Sequence, residues 1–596
     1  MKIVCLVKQV PRADAIEFDP ETKALKREGV PLLLNEFDRY AVAEAARLGG
    51  EVVAMTMGPP SAEEALRLTL ALGADRCVHL SDRVFAVADT IGTSRTLAMA
   101  IRKEGADLVL CGRKTTDSET WQVPPEVAAY LGWLHVTSVV ALEAADGRLR
   151  AVRETDEGEE VYELEPPAVC SIARPPQQVA ELEPVPDAEG RIAVWTAADL
   201  VSDLQPNDKR FGQTGSPTRV LAVRDVTPER AGTAAGDARE AADLIASLLT
   251  ERRAGETAWE KPERLGEQPG RSYDCWTAVE VREGEPTRHS LELLAKGREL
   301  SGKLGGRNVA LLLGHGLNGA SVTAARYGAE VVCLVDDPAL AEYHPERHAA
   351  ALRQVIEREQ PHVLLVPATA NGRDAGPRAA GELELGMTGD CVDLGIDRAG
   401  RLIQHKPAYG GNIVSVIMGA TTPQLATVRA RMFELLEPRD GVEPEVRRLD
   451  VGGLPEPRAR LAERREADPP PRRLDAADVV VCVGAEVGAR EAAGELERTV
   501  TPLDAAVGGD HAACTAGLVP WSRQIGLLGR PVAPRLYLAV GASGDFEHLT
   551  GSVKAGVIAA VNAAPDAPML AAADVALAGD WRQLVPPLVD ALAGRI

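Results

Sequence analysis

The sequence predicts an α/β protein made of three doubly wound parallel sheets, and three observations carry that prediction. Short β-branched runs alternate with Ala- and Leu-rich helical stretches along the chain, one strand–loop–helix block occurs twice, and a third set of apolar, Gly-punctuated strands closes the sequence. Apolar strands joined by helical crossovers are what a parallel sheet covered on both faces requires. At 596 residues the chain also exceeds what one core holds, since chains of more than roughly 250–300 residues divide into domains.

The elements follow in order. Strands are expected at 2–8, 51–58, 76–82 and 106–112, with helices at 41–49, 61–73 and 89–105 between them. The pattern resumes with strands at 308–316, 330–337 and 362–368 and helices at 318–328 and 346–359. ADLVLCGRKTTDSETWQVPPEVAAYLG (106–132) and PHVLLVPATANGRDAGPRAAGELELG (361–386) share one design: an apolar strand, a polar loop with Arg and Asp, a Pro, and an Ala-rich helix ending in Leu-Gly. Such a repeat predicts two related domains. The third sheet is expected from strands in 478–484, 535–544 and 556–562 and a last helix at 581–593. A helix at 236–252 leads into the charged, Gly/Pro-bearing stretch 251–272, and a Pro/Arg-rich joint spans 456–474. The expected division is therefore 1–252, a linker at 253–272, a domain at 273–455, a hinge at 456–474 and a domain at 475–596.

Composition narrows the function. A net charge of −22 argues against a general binder of nucleic acid or anionic membrane. No run reaches the roughly 20 apolar residues of a membrane span, so no direct membrane insertion and a cytoplasmic protein are expected. The nine cysteines are scattered with no CxxC, which predicts buried free thiols and no metal or iron–sulfur ligation. No Walker loop or catalytic Ser/His/Asp arrangement is present.

One segment carries a chemical signal. In LYLAVGASGDFEHLTG a strand runs into Gly541, Ser543 and Gly544 and on toward a helix start. Glycines let backbone N–H groups approach closely, and a helix N-terminus carries partial positive charge, so the turn suits a pyrophosphate. The spacing is not GxGxxG, and a plain strand-to-helix turn explains the same residues.

This stretch, with LDAAVGGDHAACTAG (503–517), GRDAGPRAA (372–380), GRLIQHKPAYGGNI (400–413) and LATVRARMF (425–433), resembles the α subunit of the electron-transfer flavoproteins. KIVCLVKQVP, NEFDRYAVAEA (35–45), DLVLCGRKTTDSET (107–120) and GSPTRV (215–220) resemble the β subunit. The resemblance spans nearly the whole chain apart from 253–272. It implies a β–α fusion with two related Rossmann-type domains, of the kind seen in adenine nucleotide α-hydrolases, and a C-terminal Rossmann-like FAD-binding domain. The implied function is a FAD-containing electron carrier between a flavin-dependent dehydrogenase and a quinone oxidoreductase or iron–sulfur acceptor. Two alternatives stay open: a two-FAD, bifurcating-type component that oxidises NADH, and a nucleotide-binding protein without redox function.

Position by position, the resemblance implies an FAD site at Gly541, Ser543, Gly544 and His548, with Asn562 and Asp580 toward the adenosine end. His548 would face the flavin pyrimidine oxygens. The departures strip positive charge and hydrogen bonds from the ring: the family's Arg falls at His511, its flavin-bonding Thr at Leu528, its Gln at Glu547, its Ser at Asp510, and its GRG turn reads Gly484-Ala485-Glu486. In the β-like half, single-flavin members hold AMP on an Asn-Gln-Thr-Gly run, which here reads Trp121-Gln122-Val123-Pro124. TWQVPP is closer to the bifurcating members, whose β subunit holds a second FAD. The residues implied there are Asp89, Thr90, Thr93, Ser94, Gly112, Arg113, Asp117 and Gln122, although Asp89 and its Thr neighbours also suit simple helix capping. The Met-x-Ala-Lys-Lys run of the family's recognition loop is missing, and residues 172–180 are the best match for a redox-partner contact.

Overall fold

The computed structural model describes residues 1–16, 29–174, 179, 182–226, 230, 232–252, 259–265, 273–411, 413–466 and 473–596. Its strands form where the sequence is continuously apolar, because both faces are covered. Lys2–Leu6, Leu108–Gly112 and Ala168–Ile172 are buried at nearly every residue and lie side by side in one parallel sheet. Across that sheet the order is Ile192–Trp195, Arg76–Leu80, Glu51–Met57, Lys2–Leu6, Leu108–Gly112, Ala168–Ile172, Leu134–Ala145. The second sheet repeats it strand for strand: Glu445–Arg448, Val331–Asp336, Asn308–Gly314, Cys275–Val279, Val363–Pro367, Gln424–Val428, Met387–Cys391. The repeated block of the sequence is thus the repeated centre of two domains with one topology.

The two copies meet through their Ala-rich helices, Val123–Leu131 and Gly372–Leu383. Gly381 is what allows the approach: a Cβ there would stand 3.0 Å from the Ala129 Cβ and 3.2 Å from the Glu126 Cα. Each domain also lends the other a strand. Ala459–Glu466 pairs antiparallel with Gly158–Leu164 at the edge of the first sheet. Thr218–Asp225 pairs antiparallel with Ile413–Gly419 of the second domain's smaller sheet.

The third sheet is parallel throughout, in the order Thr233–Ala234, Val575–Ala578, Val557–Asn562, Leu536–Val540, Val479–Val483, Ala506–Gly509. Its edge strand and the packing helix Ala238–Glu251 come from the first half of the chain, with Ala241, Ala242 and Ile245 fully buried against Val585 and Leu588. Arg230 and Arg252 both pair with the buried Asp574, at 2.7 and 3.0 Å.

Three expected segments are partly placed by the structure. Within the expected hinge 456–474, Ala459–Glu466 is paired into a sheet; residues 467–472 lie outside the described residues. The first domain does not extend in space to 252, since the chain from 218 onward pairs with the other two domains. The 253–272 linker is docked where it is described: Trp259 donates Nε1–H to the Glu437 carbonyl at 2.7 Å, and its ring lies under Arg439 (4.3 Å) and Arg298 (5.0 Å). Its residues 253–258 and 266–272, and residues 175–178 and 180 of the expected partner contact, lie outside the described residues. All nine cysteines are buried free thiols. Among the described residues no helix is long and apolar enough to cross a membrane.

Candidate functional site

The third sheet positions its site at the C-terminal ends of its strands, where open α/β sheets bind ligands. Strand Leu536–Val540 stops at a turn that only glycine can make. Gly541 and Gly544 stand at φ +65° and +76°, and a Cβ on Gly544 would lie 2.3 Å from the Met569 amide nitrogen. Opposite, a Cβ on Gly484 would lie 2.0 Å from the Gly541 carbonyl oxygen. Asp545 then caps helix Phe546–Ser552, accepting from the His548 amide at 2.8 Å, and Ser543 donates its hydroxyl to the other Asp545 oxygen at 2.8 Å. Asn562 donates to the Ala542 carbonyl at 2.9 Å and accepts from the Ala564 amide at 2.9 Å, bracing the turn from the next strand. Asp580 caps helix Trp581–Leu592 through the Arg582 amide at 3.0 Å.

His548 is 2% exposed, with Tyr537 Oη 2.6 Å and Cys482 Sγ 3.4 Å from its Nε2. Burial brings its imidazolium down to about 4, so the ring is neutral. Its Nδ1 is buried and has no hydrogen-bond partner among the described residues.

The loop 524–530 closes over this helix. The Leu527 amide donates to the Glu547 carbonyl at 2.7 Å, and Gln524 Nε2 lies 3.1 Å from Nδ1 of His511, whose ring stands edge-on to Trp521 at 5.4 Å. Leu528 turns the other way, packing on the first domain's core while its carbonyl accepts from Arg113 at 2.8 Å. The structure therefore gathers Gly541, Ser543, Gly544, His548 and His511 at one sheet end and sets the Leu528 side chain apart from them. The surroundings are acidic. Buried Asp510 caps the Ala513 amide with one oxygen and has no partner among the described residues for the other; burial raises its carboxyl. Glu547 has an exposed side chain in a crowded setting, where desolvation, then Asp545, Glu36 and Asp14, push its carboxyl up.

The residues expected in the first half have different fates. Asp89 caps helix Thr90–Glu104 through the Gly92 amide (3.0 Å) and binds Thr218 with its other oxygen (2.8 Å). Thr93 donates its amide to the Asp89 carbonyl at 2.9 Å within that helix. Thr90 and Ser94 donate their hydroxyls to the fully buried Glu126, at 3.0 and 2.9 Å, and Gln122 reaches the same carboxyl at 3.3 Å. Burial raises the Glu126 carboxyl well above its ordinary range. Gly112 fits tightly beneath Asp38, which accepts its amide at 3.0 Å, and Asp117 pairs with Lys8 at 2.6 Å. Thr90, Ser94 and Gln122, three of the donors expected to meet a phosphate, are thus taken by one carboxylate.

Where the three domains meet there is a cleft lined among others by Arg113, Trp121, Glu154, Asp156, Arg373 and Arg530. Arg373 lies over the Trp121 ring at 4.3 Å and Arg113 at 5.2 Å. Trp121 Nε1 and Arg113 Nε are buried without a partner among the described residues, and burial lowers the Arg113 guanidinium to about 10. Arg530 crosses from the third domain to the Thr155 carbonyl (3.2 Å), Asp156 (3.5 Å) and Glu154 (3.7 Å). Neither Glu126 nor this junction was legible beforehand, because each joins residues distant in sequence; the Arg and Asp of the repeated loops were the available hint. Among the described residues no group of three or more His, Cys, Asp or Glu is arranged to hold a metal.

Comparison with known proteins agrees with this architecture. The model of the electron transfer flavoprotein domain matches residues 22–200 and 275–453, and that of the electron transfer flavoprotein FAD-binding domain matches 473–553. The chain is 32% identical over 325 residues to the electron transfer flavoprotein subunit alpha of Thermoanaerobacterium thermosaccharolyticum, covering 53% of this chain and 97% of that one. It is 36% identical over 261 residues to subunit beta of the same organism, covering 42% of this chain and 99% of that one. Protein FixB of Rhizobium meliloti is 32% identical over 330 residues, 54% of this chain and 94% of that one. Two copies of one domain, a third domain that matches the FAD-binding domain model, and matches to both subunits show that the chain belongs to the electron transfer flavoprotein family, with its beta and alpha parts fused in one polypeptide.

Proposed function

We propose that this electron carrier holds one FAD in residues 475–596, accepts electrons from a flavin-dependent dehydrogenase and passes them to a quinone oxidoreductase or an iron–sulfur protein. The observation that carries the reading is the glycine turn at Gly541 and Gly544 beside a buried, unclaimed Nδ1 on His548. Two features fit the cofactor: the glycine turn at Gly541 and Gly544 suits close approach of a pyrophosphate, and His548 offers its unclaimed Nδ1 to the pyrimidine edge, whereas Asp545 caps the helix start and Asn562 and Asp580 bond local backbone. Bound there, FAD supplies one- and two-electron redox chemistry. Around it the chain keeps water out with Tyr537 and Cys482 and offers a neutral donor from His548. Asp510, Glu547 and Asp545 raise the cost of negative charge on the ring, which lowers its potential. Glu547→Gln is then expected to raise the flavin midpoint potential in spectroelectrochemical titration; an unchanged potential would remove the acidic-site argument.

A second reading, two FAD per chain and NADH oxidation, is favoured by the junction cleft, where Trp121 Nε1 and Arg113 Nε are buried donors without a partner among the described residues. Glu126 weighs against AMP, since it already holds Thr90, Ser94 and Gln122. Denaturing the purified protein and counting FAD and AMP per chain by absorbance and chromatography decides between them. One FAD supports the carrier, two support the second reading and call for an NADH assay, and none after incubation with excess FAD defeats both.

A further inference from the structure

His548 sits between a phenol and a thiol and has one nitrogen left over. Tyr537 Oη, 2.6 Å from Nε2, and Cys482 Sγ, 3.4 Å from it, are both fully buried. Burial pushes the phenol well above its ordinary range, so Tyr537 keeps its proton and has Nε2 within hydrogen-bond reach, while the Cys482 thiol has the Val483 carbonyl at 3.8 Å as its acceptor. A neutral imidazole that accepts at Nε2 carries its one proton on Nδ1. That N–H is buried and has no acceptor among the described residues, a costly arrangement unless a ligand completes it.

We propose that Tyr537 is a positioning residue, which by donating to Nε2 fixes His548 as the Nδ1–H tautomer and so presents one neutral, directed donor to an acceptor atom of FAD bound in this domain. The inference rests on the FAD reading above. Backbone supports the geometry: Asp545 caps the helix through the His548 amide at 2.8 Å, and Tyr537 lies in the buried strand Leu536–Val540, so neither ring is free to swing. The donor is a dipole, not a cation. It orients the ring without supplying the positive charge that the acidic surroundings lack.

The test uses the full chain, labelled with ¹⁵N at histidine, in its FAD-free and FAD-loaded forms. The ring nitrogens of His548 are assigned among the ten histidines by their loss in His548→Asn. The expected result is an Nδ1–H tautomer in the wild-type protein before FAD is added. Tyr537→Phe should move the population toward Nε2–H and weaken FAD binding by about tenfold, the scale of one hydrogen bond. His548→Asn, whose amide occupies the Nδ1 position, should weaken FAD binding less than His548→Gln, which puts its amide at Nε2 and should lose about tenfold. That pair decides the matter even where Tyr537→Phe fails to fold. An Nε2–H tautomer in the wild type overturns the proposal, as does a Tyr537→Phe protein with unchanged tautomer and affinity, or a His548→Gln protein that binds better than His548→Asn. Failure of the FAD reading looks different: the wild type takes up no flavin, which removes the acceptor, while the FAD-free spectra still report whether Tyr537 sets the ring.

Discussion

Glu126 shows how far one residue's surroundings can override its chemistry. It lies fully buried at the contact of the two Ala-rich helices and accepts from Thr90, Ser94 and Gln122, but no cation pairs with it among the described residues, so desolvation wins and its carboxyl is raised. An acid whose folded pKa is raised is protonated in the native state above pH ~4.3, where the unfolded chain ionises. Stability is therefore full below that pH and falls as pH rises toward the folded pKa, by about 1.4 kcal/mol per unit. Glu126→Gln removes the ionisation, keeps one acceptor oxygen and turns an N–H₂ donor toward the hydroxyl that met the other oxygen. Its melting temperature is expected to exceed the wild type's by more at pH 8 than at pH 5; a gain that does not grow with pH would show that the carboxyl titrates normally. The sequence marked Gln122 and the neighbouring hydroxyls as ligand donors, and it could not show that a glutamate four residues on would claim them.

At the scale of elements, local pattern and structure agree closely. The helix expected at 89–105 is Thr90–Glu104, and that expected at 346–359 is Pro345–Glu359, because an N-cap and an apolar stripe announce both ends of a packed helix. Charged, proline-bearing segments look like free connectors, yet Ala459–Glu466 pairs as an edge strand and residues 259–265 dock. Trp259 is the anchor of the second, through one hydrogen bond and two arginines over its ring. Trp259→Ala should remove about 1–2 kcal/mol of local docking. Trypsin cleavage within 251–272 is then expected to speed up severalfold while the global melting temperature moves little, and equal cleavage rates would mean that the tryptophan does not hold the segment.

For the whole molecule the question is how the FAD-binding domain is held against the other two. Arg530 is one polar tie to the first domain, reaching Asp156, Glu154 and the Thr155 carbonyl, with the Arg113–Leu528 contact running the opposite way. The Arg530 side chain is 29% exposed, so the tie is screened and is worth about 1–2 kcal/mol rather than the full value of a buried pair. Arg530→Ala should raise amide hydrogen exchange selectively along 150–158 and 524–533, and high salt should narrow the difference from wild type. Unchanged exchange in both segments would show that apolar packing alone holds the domain.

The sequence by itself determined the three sheets, their internal repeat, the family and the glycine turn of the FAD-binding domain, because these depend on periodicity and on motifs contiguous in the chain. Only the tertiary structure decided that the two repeats exchange strands, that Glu126 takes Thr90, Ser94 and Gln122, that Leu528 faces the other domain, and that Tyr537 holds His548. Each of these is a contact between residues far apart in sequence, and burial, which sets protonation and selects hydrogen-bond partners, exists only once the chain has folded.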